Sequence, residues 1–166
     1  ARVLQADAFE QLAFGAENGT WRNAFLSGAT ELRRGNFGTP VSPNAPDLFA
    51  ALTVDQLLAS VAIAVDGPRA WDERLRLCFE LTDLDATHVV ELRHGTLVHR
   101  RTDRPVDDAT TISLTRADLG ALFAGQLDLA AGAAEGRVRI DGDPSVLERL
   151  IGLLDGPDEH FAIVTP

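Results

Sequence analysis

The chain of 166 residues contains no lysine and no methionine, and it has one cysteine. Each scarcity excludes something. With Cys78 alone there is no internal disulfide, and no second thiolate to share a structural zinc. All 15 basic residues are arginines, and 25 acidic ones outnumber them to give a formal charge of -10. Nucleic acid is therefore not an expected partner, because phosphate binding draws on clustered positive charge. No apolar run approaches the roughly 20 residues of a membrane-spanning helix, and the first residues lack the basic-then-apolar order of a signal peptide. Compartment stays undetermined. The missing methionine and the start at Ala1 suggest a piece of a longer protein.

What is present is enough for one full core, with 45% hydrophobic residues. Residues 1–17 space Val3, Leu4, Ala8, Leu12 and Phe14 in helical fashion until Gly15 and Asn18-Gly19 interrupt. Thr20 is the expected N-cap of a second helix carrying Trp21, Phe25, Ala29 and Leu32, closed by Arg33-Arg34-Gly35. Together they predict a helical hairpin over residues 1–35. A stretch rich in Gly, Pro and Asn, 36–46, marks a linker.

From residue 47 the pattern predicts a second domain reaching to residue 166. Thr53 caps a helix with the stripe Val54, Leu57, Leu58, Val61 and Val65. Leu75, Leu77, Phe79 and Leu81 then alternate with Arg74, Arg76, Cys78 and Glu80, as a strand with one buried face requires. Two further strands flank His94-Gly95, whose glycine suits a tight hairpin turn. A fourth strand, 110–114, leads into a helix opened by Thr115-Arg116-Ala117-Asp118. A short helix near 127–133, a fifth strand over 137–140 and a last helix capped by Asp143 complete the order. Strands one to three suit an antiparallel meander, and the helical return from strand four to strand five suits a crossover. The fold class expected is α+β, with a five-stranded mixed sheet covered by helices on one face.

Candidate chemistry is sparse. His88 and His99 could face each other across the hairpin and bind metal, yet two imidazoles without a third ligand make a poor zinc site, and both read better as solvent-facing. Asp141 with Asp143, and Asp107 with Asp108, are paired carboxylates better explained by turns and capping than by acid/base work. Cys78, between Arg76 and Glu80, has no strong cause for a lowered pKa. Arg93, Arg100, Arg101 and Arg104 could attract a sulfate or an anionic surface, although Glu91 and Asp103 balance them. No triad, metal cluster or phosphate loop assembles, so neither a metal nor a cofactor is expected and an autonomous enzyme is the weakest reading.

The segment Trp21-Arg22-Asn23-Ala24-Phe25-Leu26-Ser27-Gly28-Ala29-Thr30-Glu31-Leu32-Arg33 resembles the last helix of the dimerisation domain of alkyl sulfatases in the metallo-β-lactamase superfamily. The resemblance runs on through Gly67-Pro68-Arg69-Ala70, Glu91-Leu92-Arg93-His94-Gly95-Thr96-Leu97, Ile140-Asp141-Gly142-Asp143-Pro144 and the tail Phe161-Ala162-Ile163-Val164-Thr165-Pro166. Phe25 stands where the family has tyrosine. The family's His-x-His-x-Asp-His zinc motif is absent, for the only histidines are His88, His94, His99 and His160.

The resemblance implies that residues 47–166 form a sterol-carrier-type domain around an apolar tunnel. That domain would bind a long alkyl or lipid chain and present it to a zinc site in a missing catalytic domain, with no catalysis of its own. Leu58, Phe79, Leu119, Phe123, Leu127, Leu150 and Phe161 are the expected tunnel lining, and Trp21 and Phe25 the expected packing or homodimer contact. The alternative is a purely structural module for dimerisation or shielding, whose interior is filled by its own side chains.

Overall fold

A computed structural model describes residues 1–38, 46–103, 106–156, 158 and 160–165. The chain divides into two compact units, one of Ala1–Ser42 with Pro157–Pro166 and the other of Pro43–Gly156. The division falls inside the expected linker, whose residues 39–45 lie outside the described ones.

In the first unit α1 (Arg2–Gly15) and α2 (Gly19–Arg34) form the hairpin. The N-cap of α2 is Asn18 rather than Thr20: its Oδ1 accepts from the N–H groups of Thr20 and Trp21 at 2.9 and 3.3 Å. An asparagine at that position supplies a side-chain oxygen to two of the first-turn amides that lack an intrahelical partner. Ala6, Ala29 and Leu32 are buried with Phe9 and Val164 against them. Gly28 permits this closeness, since a Cβ there would stand 3.1 Å from both Phe9 Cδ2 and Val164 Cγ1. Arg33 braces the hairpin through Asp7 at 2.8 Å and Glu10 at 2.6 Å.

The final residues belong to this unit, whereas the sequence put them in the sheet domain. The cause is polar. The buried Glu31 carboxylate accepts the N–H groups of Ile163 (2.7 Å), Val164 (3.2 Å) and Thr165 (2.8 Å), and the Thr165 hydroxyl as well.

The second unit begins with α3 (Pro46–Ala51), a helix the sequence pattern did not indicate, followed by α4 (Val54–Ala64). A full capping box starts α4: Thr53 Oγ1 accepts from Gln56 N–H, and Gln56 Oε1 accepts from Thr53 N–H at 2.9 Å. The strands are β1 (Arg74–Leu81), β2 (Ala86–Arg93), β3 (Thr96–Thr102), β4 (Thr110–Leu114) and β5 (Arg139–Asp141), with α5 (Arg116–Phe123) and α6 (Leu129–Ala134) between the last two and α7 (Ser145–Gly152) at the end.

The sheet order is β3-β2-β1-β4-β5. The meander holds, with β1–β2 and β2–β3 antiparallel. Among the described residues the one parallel pair is β1–β4, and β5 returns antiparallel to β4, so the expected β4-to-β5 crossover is replaced by an antiparallel return. The parallel geometry arises instead because the chain leaves β1, builds the hairpin outward and re-enters on the opposite side. His94 and Gly95 both take positive φ in the hairpin turn, 49° and 68°.

One face of the sheet carries Leu75, Leu77, Phe79 and Leu81 on β1, Val90 and Leu92 on β2, and Ile112 and Leu114 on β4. They join Leu57, Leu58 and Val61 of α4, Leu119 and Leu122 of α5, and Leu147 and Leu150 of α7 in one core.

Candidate functional site

Beside this core lies a cleft of about 460 Å³ between α3 and α5, within the roughly 300–1,000 Å³ of small-molecule sites. Ala117, Gly120 and Ala121 of α5, with Ala124 that caps it, form one wall, and Phe49 and Ala50 of α3 the other. Positions 117, 120, 121 and 124 fall on one face of a helix, so a run of small side chains leaves a groove where larger ones would fill it. Phe49 and Ala121 also pack against the core, so both walls of the cleft border the apolar interior.

The rim is polar, with Asp83, Arg116 and Gln126. Arg116 holds the two helices in place: its Nη2 donates to the carbonyl oxygens of Phe49 (2.6 Å) and Leu52, and its own N–H donates to Asp83 Oδ1 at 2.9 Å. These carbonyls have no partner further along such a short helix, and the guanidinium satisfies them. On the inner end of α5, the Asp118 carboxylate is buried, which works to raise its pKa. Hydrogen bonds from the Thr115 hydroxyl (2.7 Å) and from Arg137 Nε (3.0 Å) outweigh that and hold it below the usual value.

Of the residues expected to line a tunnel, Leu58, Phe79, Leu119, Leu127 and Leu150 all lie in the one core, and Phe123 packs against it with its ring 5.9 Å from that of Phe79. Leu58, Phe79, Leu119 and Leu150 are each 0% exposed, enclosed by neighbouring side chains. Phe161 is not among them: it is 60% exposed and lies in the hairpin unit. Phe49, Ala117, Gly120, Ala121 and Ala124 were missed by sequence reasoning. The small-residue spacing on α5 was the available signal.

Trp21 and Phe25 lie on the hairpin, Phe25 between Phe9 and Trp21 at centroid distances of 5.8 and 6.1 Å. Trp21 is 64% exposed, and Val3, Leu4, Leu12 and Phe14 of α1 are exposed too. The expected apolar spacing of α1 is thus largely an outer face, and Ala6 and Ala13 make the inner one.

The blander readings of the carboxylates and the thiol fit their surroundings. Asp143 accepts from Ser145 N–H (2.9 Å) and Oγ (2.8 Å) at the start of α7, which keeps its pKa low. Asp108 sits in a turn at φ 57°. Cys78 is buried, and burial together with the Glu80 charge pushes its thiol pKa up, away from nucleophilic use. Arg93, Arg100 and Arg101 are exposed, and Arg104 lies outside the described residues.

The histidines depart from expectation. His88 is only 4% exposed, because it pairs with Phe79 across β1–β2 and so shares the core-facing side of the sheet. His99, paired with Val90, lies on that side as well. The side chain of Asp55 on α4 comes down to both.

Comparison with known proteins gives a consistent picture. The alkyl sulfatase C-terminal family matches residues 42–166, and the alkyl sulfatase dimerisation family matches residues 1–35. The whole chain aligns with a linear primary-alkylsulfatase from Pseudomonas sp. at 36% identity and with an (R)-specific secondary-alkylsulfatase from Pseudomonas sp. at 37%. It spans 25% of the length of each of these relatives. Among solved structures, a stereoselective inverting sec-alkylsulfatase from Pseudomonas sp. superposes over 99% of this chain and 26% of its own, with a TM-score of 0.85 and 34% identity.

Proposed function

Because this chain belongs to the alkyl sulfatase family, with the family's dimerisation and C-terminal segments in one polypeptide, we propose that its sheet unit receives the apolar tail of an alkyl sulfate or a comparable lipid. The tail enters at the cleft between α3 and α5 and lies against the core behind it, toward Phe123, Leu119, Phe79, Leu58, Leu127 and Leu150. The unit acts as a sterol-carrier-type holder. In the parent protein the sulfate end is then presented to a zinc site in another domain, which breaks the bond. The hairpin serves dimer assembly, with Trp21 and Phe25 in the contact.

The observation that carries this reading is the 460 Å³ cleft, two of whose wall residues, Phe49 and Ala121, also pack against the apolar core. Each methylene withdrawn from water contributes about 0.8 kcal/mol, so ten give a gross gain of about 8 kcal/mol before ordering costs. Micromolar affinity needs no catalytic group. Saturated alkyl sulfates of increasing length should displace a fluorescent fatty-acid probe with rising affinity, and Ala121→Phe, which fills the groove, should abolish the trend. Displacement independent of length, or untouched by Ala121→Phe, refutes the reading.

The complete enclosure of Leu58, Phe79, Leu119 and Leu150 favours a second reading, a structural module with a filled interior. On that reading the chain forms a stable dimer and takes up no probe.

A further inference from the structure

Three side chains from three elements converge on one point of the sheet unit. Asp55 Oδ1, from the first turn of α4, stands 3.6 Å from His88 Nδ1 on β2 and 3.7 Å from His99 Nδ1 on β3. One possible ligand atom from each of the three side chains lies within 4.8 Å of the other two. Both imidazole nitrogens are buried without a hydrogen-bond partner, and both gaps to the carboxylate are too long for a hydrogen bond. A buried polar atom with no partner calls for a physical explanation, and here two such atoms point at the same carboxylate.

We propose that Asp55, His88 and His99 form a binding site for a divalent transition-metal ion of the zinc class. A cation between them satisfies all three atoms at once. With metal–ligand lengths of about 2.0–2.2 Å, separations of 3.6 and 3.7 Å correspond to ligand–metal–ligand angles of roughly 110–135°, a range that contains the tetrahedral and trigonal values or lies close to them. Two imidazoles and one carboxylate suit zinc, cobalt or nickel; magnesium and calcium prefer all-oxygen shells.

The surroundings favour the neutral imidazole that a metal needs. Burial, foremost, lowers the pKa of His88; the Asp55 charge works against this, and His99 and the Arg101 cation add to the lowering. Arg101 also repels a metal ion, so the single Asp55 charge has to offset it. The Asp55 side chain is 71% exposed, so water can reach the site from its side and supply a fourth ligand. In the fold the ion joins α4 to the β2–β3 hairpin, elements otherwise held by apolar packing.

The test is a titration of the metal-stripped 166-residue chain with Zn²⁺ and Co²⁺, followed by calorimetry and by cobalt absorption in the visible range. One ion per chain is expected, with a cobalt spectrum of four-coordinate type and a higher melting temperature in zinc. Asp55→Asn, at an exposed position that leaves the core intact, should weaken binding by at least the roughly 10- to 100-fold that loss of an outer-sphere partner costs. His99→Gln should remove it, while a double replacement of His94 and His160 by glutamine should leave it unchanged. Absence of stoichiometric binding overturns the proposal, as does an affinity that survives Asp55→Asn or falls with the His94 and His160 replacements.

Discussion

Glu31 and Thr165, 134 positions apart, are joined twice: the buried carboxylate accepts both the backbone N–H and the hydroxyl of the threonine. Ile163 and Val164 add their own N–H groups, so a single acidic side chain on α2 fixes the C-terminal tail of its unit.

This arrangement is pH-sensitive. The Thr165 hydroxyl chiefly, then the three amides, lower the Glu31 pKa from 4.5 to about 2 against the opposing effect of burial. A depressed carboxylate stabilises fully above its unfolded value, and that contribution fades as pH falls from 4.5 through about 2. Chemical denaturation between neutral and acid pH should show this limb, and Glu31→Gln should flatten it while lowering stability at neutral pH. An unchanged acid limb in the variant contradicts the assignment.

Gly95 is held by both its backbone angle and its neighbour. It takes φ 68°, and a Cβ there would lie 2.5 Å from the carbonyl oxygen of Gly67. Gly95→Ala should therefore destabilise the sheet unit by about 2 kcal/mol or more, read as a shift in denaturant midpoint with an unchanged slope. The glycines at 15 and 152, where an added Cβ would meet nothing within 4 Å, are the matched controls.

In the core, Leu119 is fully enclosed beneath α5. Leu119→Ala should cost about 3 kcal/mol from lost burial and the cavity left behind. If an alkyl tail binds against this core, the same variant should lose less when saturated with a long-chain alkyl sulfate, because the guest occupies the new space. Equal losses with and without ligand indicate that the tail does not reach Leu119.

Trp21, Phe14 and Leu4 are large apolar side chains exposed on the hairpin, and their exposure predicts self-association. Sedimentation should detect a dimer of the full chain, and Trp21→Glu should shift it to monomer without changing its helical content. A monomeric starting protein, or a dimer indifferent to Trp21→Glu, removes this face from the interface.

Much of the sheet unit was legible because its elements announce themselves locally. The alternation from Leu75 to Leu81 and the Thr53 cap each lie within a few residues and match the structure, whereas the return bond from Gln56 that completes the capping box went unread. The three-residue β5 and the six-residue α3 were harder, since so short a span carries hardly one period of any pattern. Long-range placement was not legible. Val89 and Val90 are both buried, which breaks the period-two signal on β2 and hid the fact that His88 faces inward. Asp55 meets the two histidines only through the packing of α4 over the hairpin, which no spacing encodes. Phe161 reads as a core residue by type, and its exposure follows from the tail being held by backbone amides on Glu31 rather than by its own ring.

The sheet ends at β3 on one side and β5 on the other, and any open strand is a template on which another chain can add. β5 offers three residues, too few to seed a stable pairing. β3 is longer, but it displays the exposed Arg100 and Arg101, so an incoming strand must settle beside two neighbouring cations. Charge at an open edge works against such pairing, so replacing both arginines with threonine should raise the tendency of the chain to aggregate on heating.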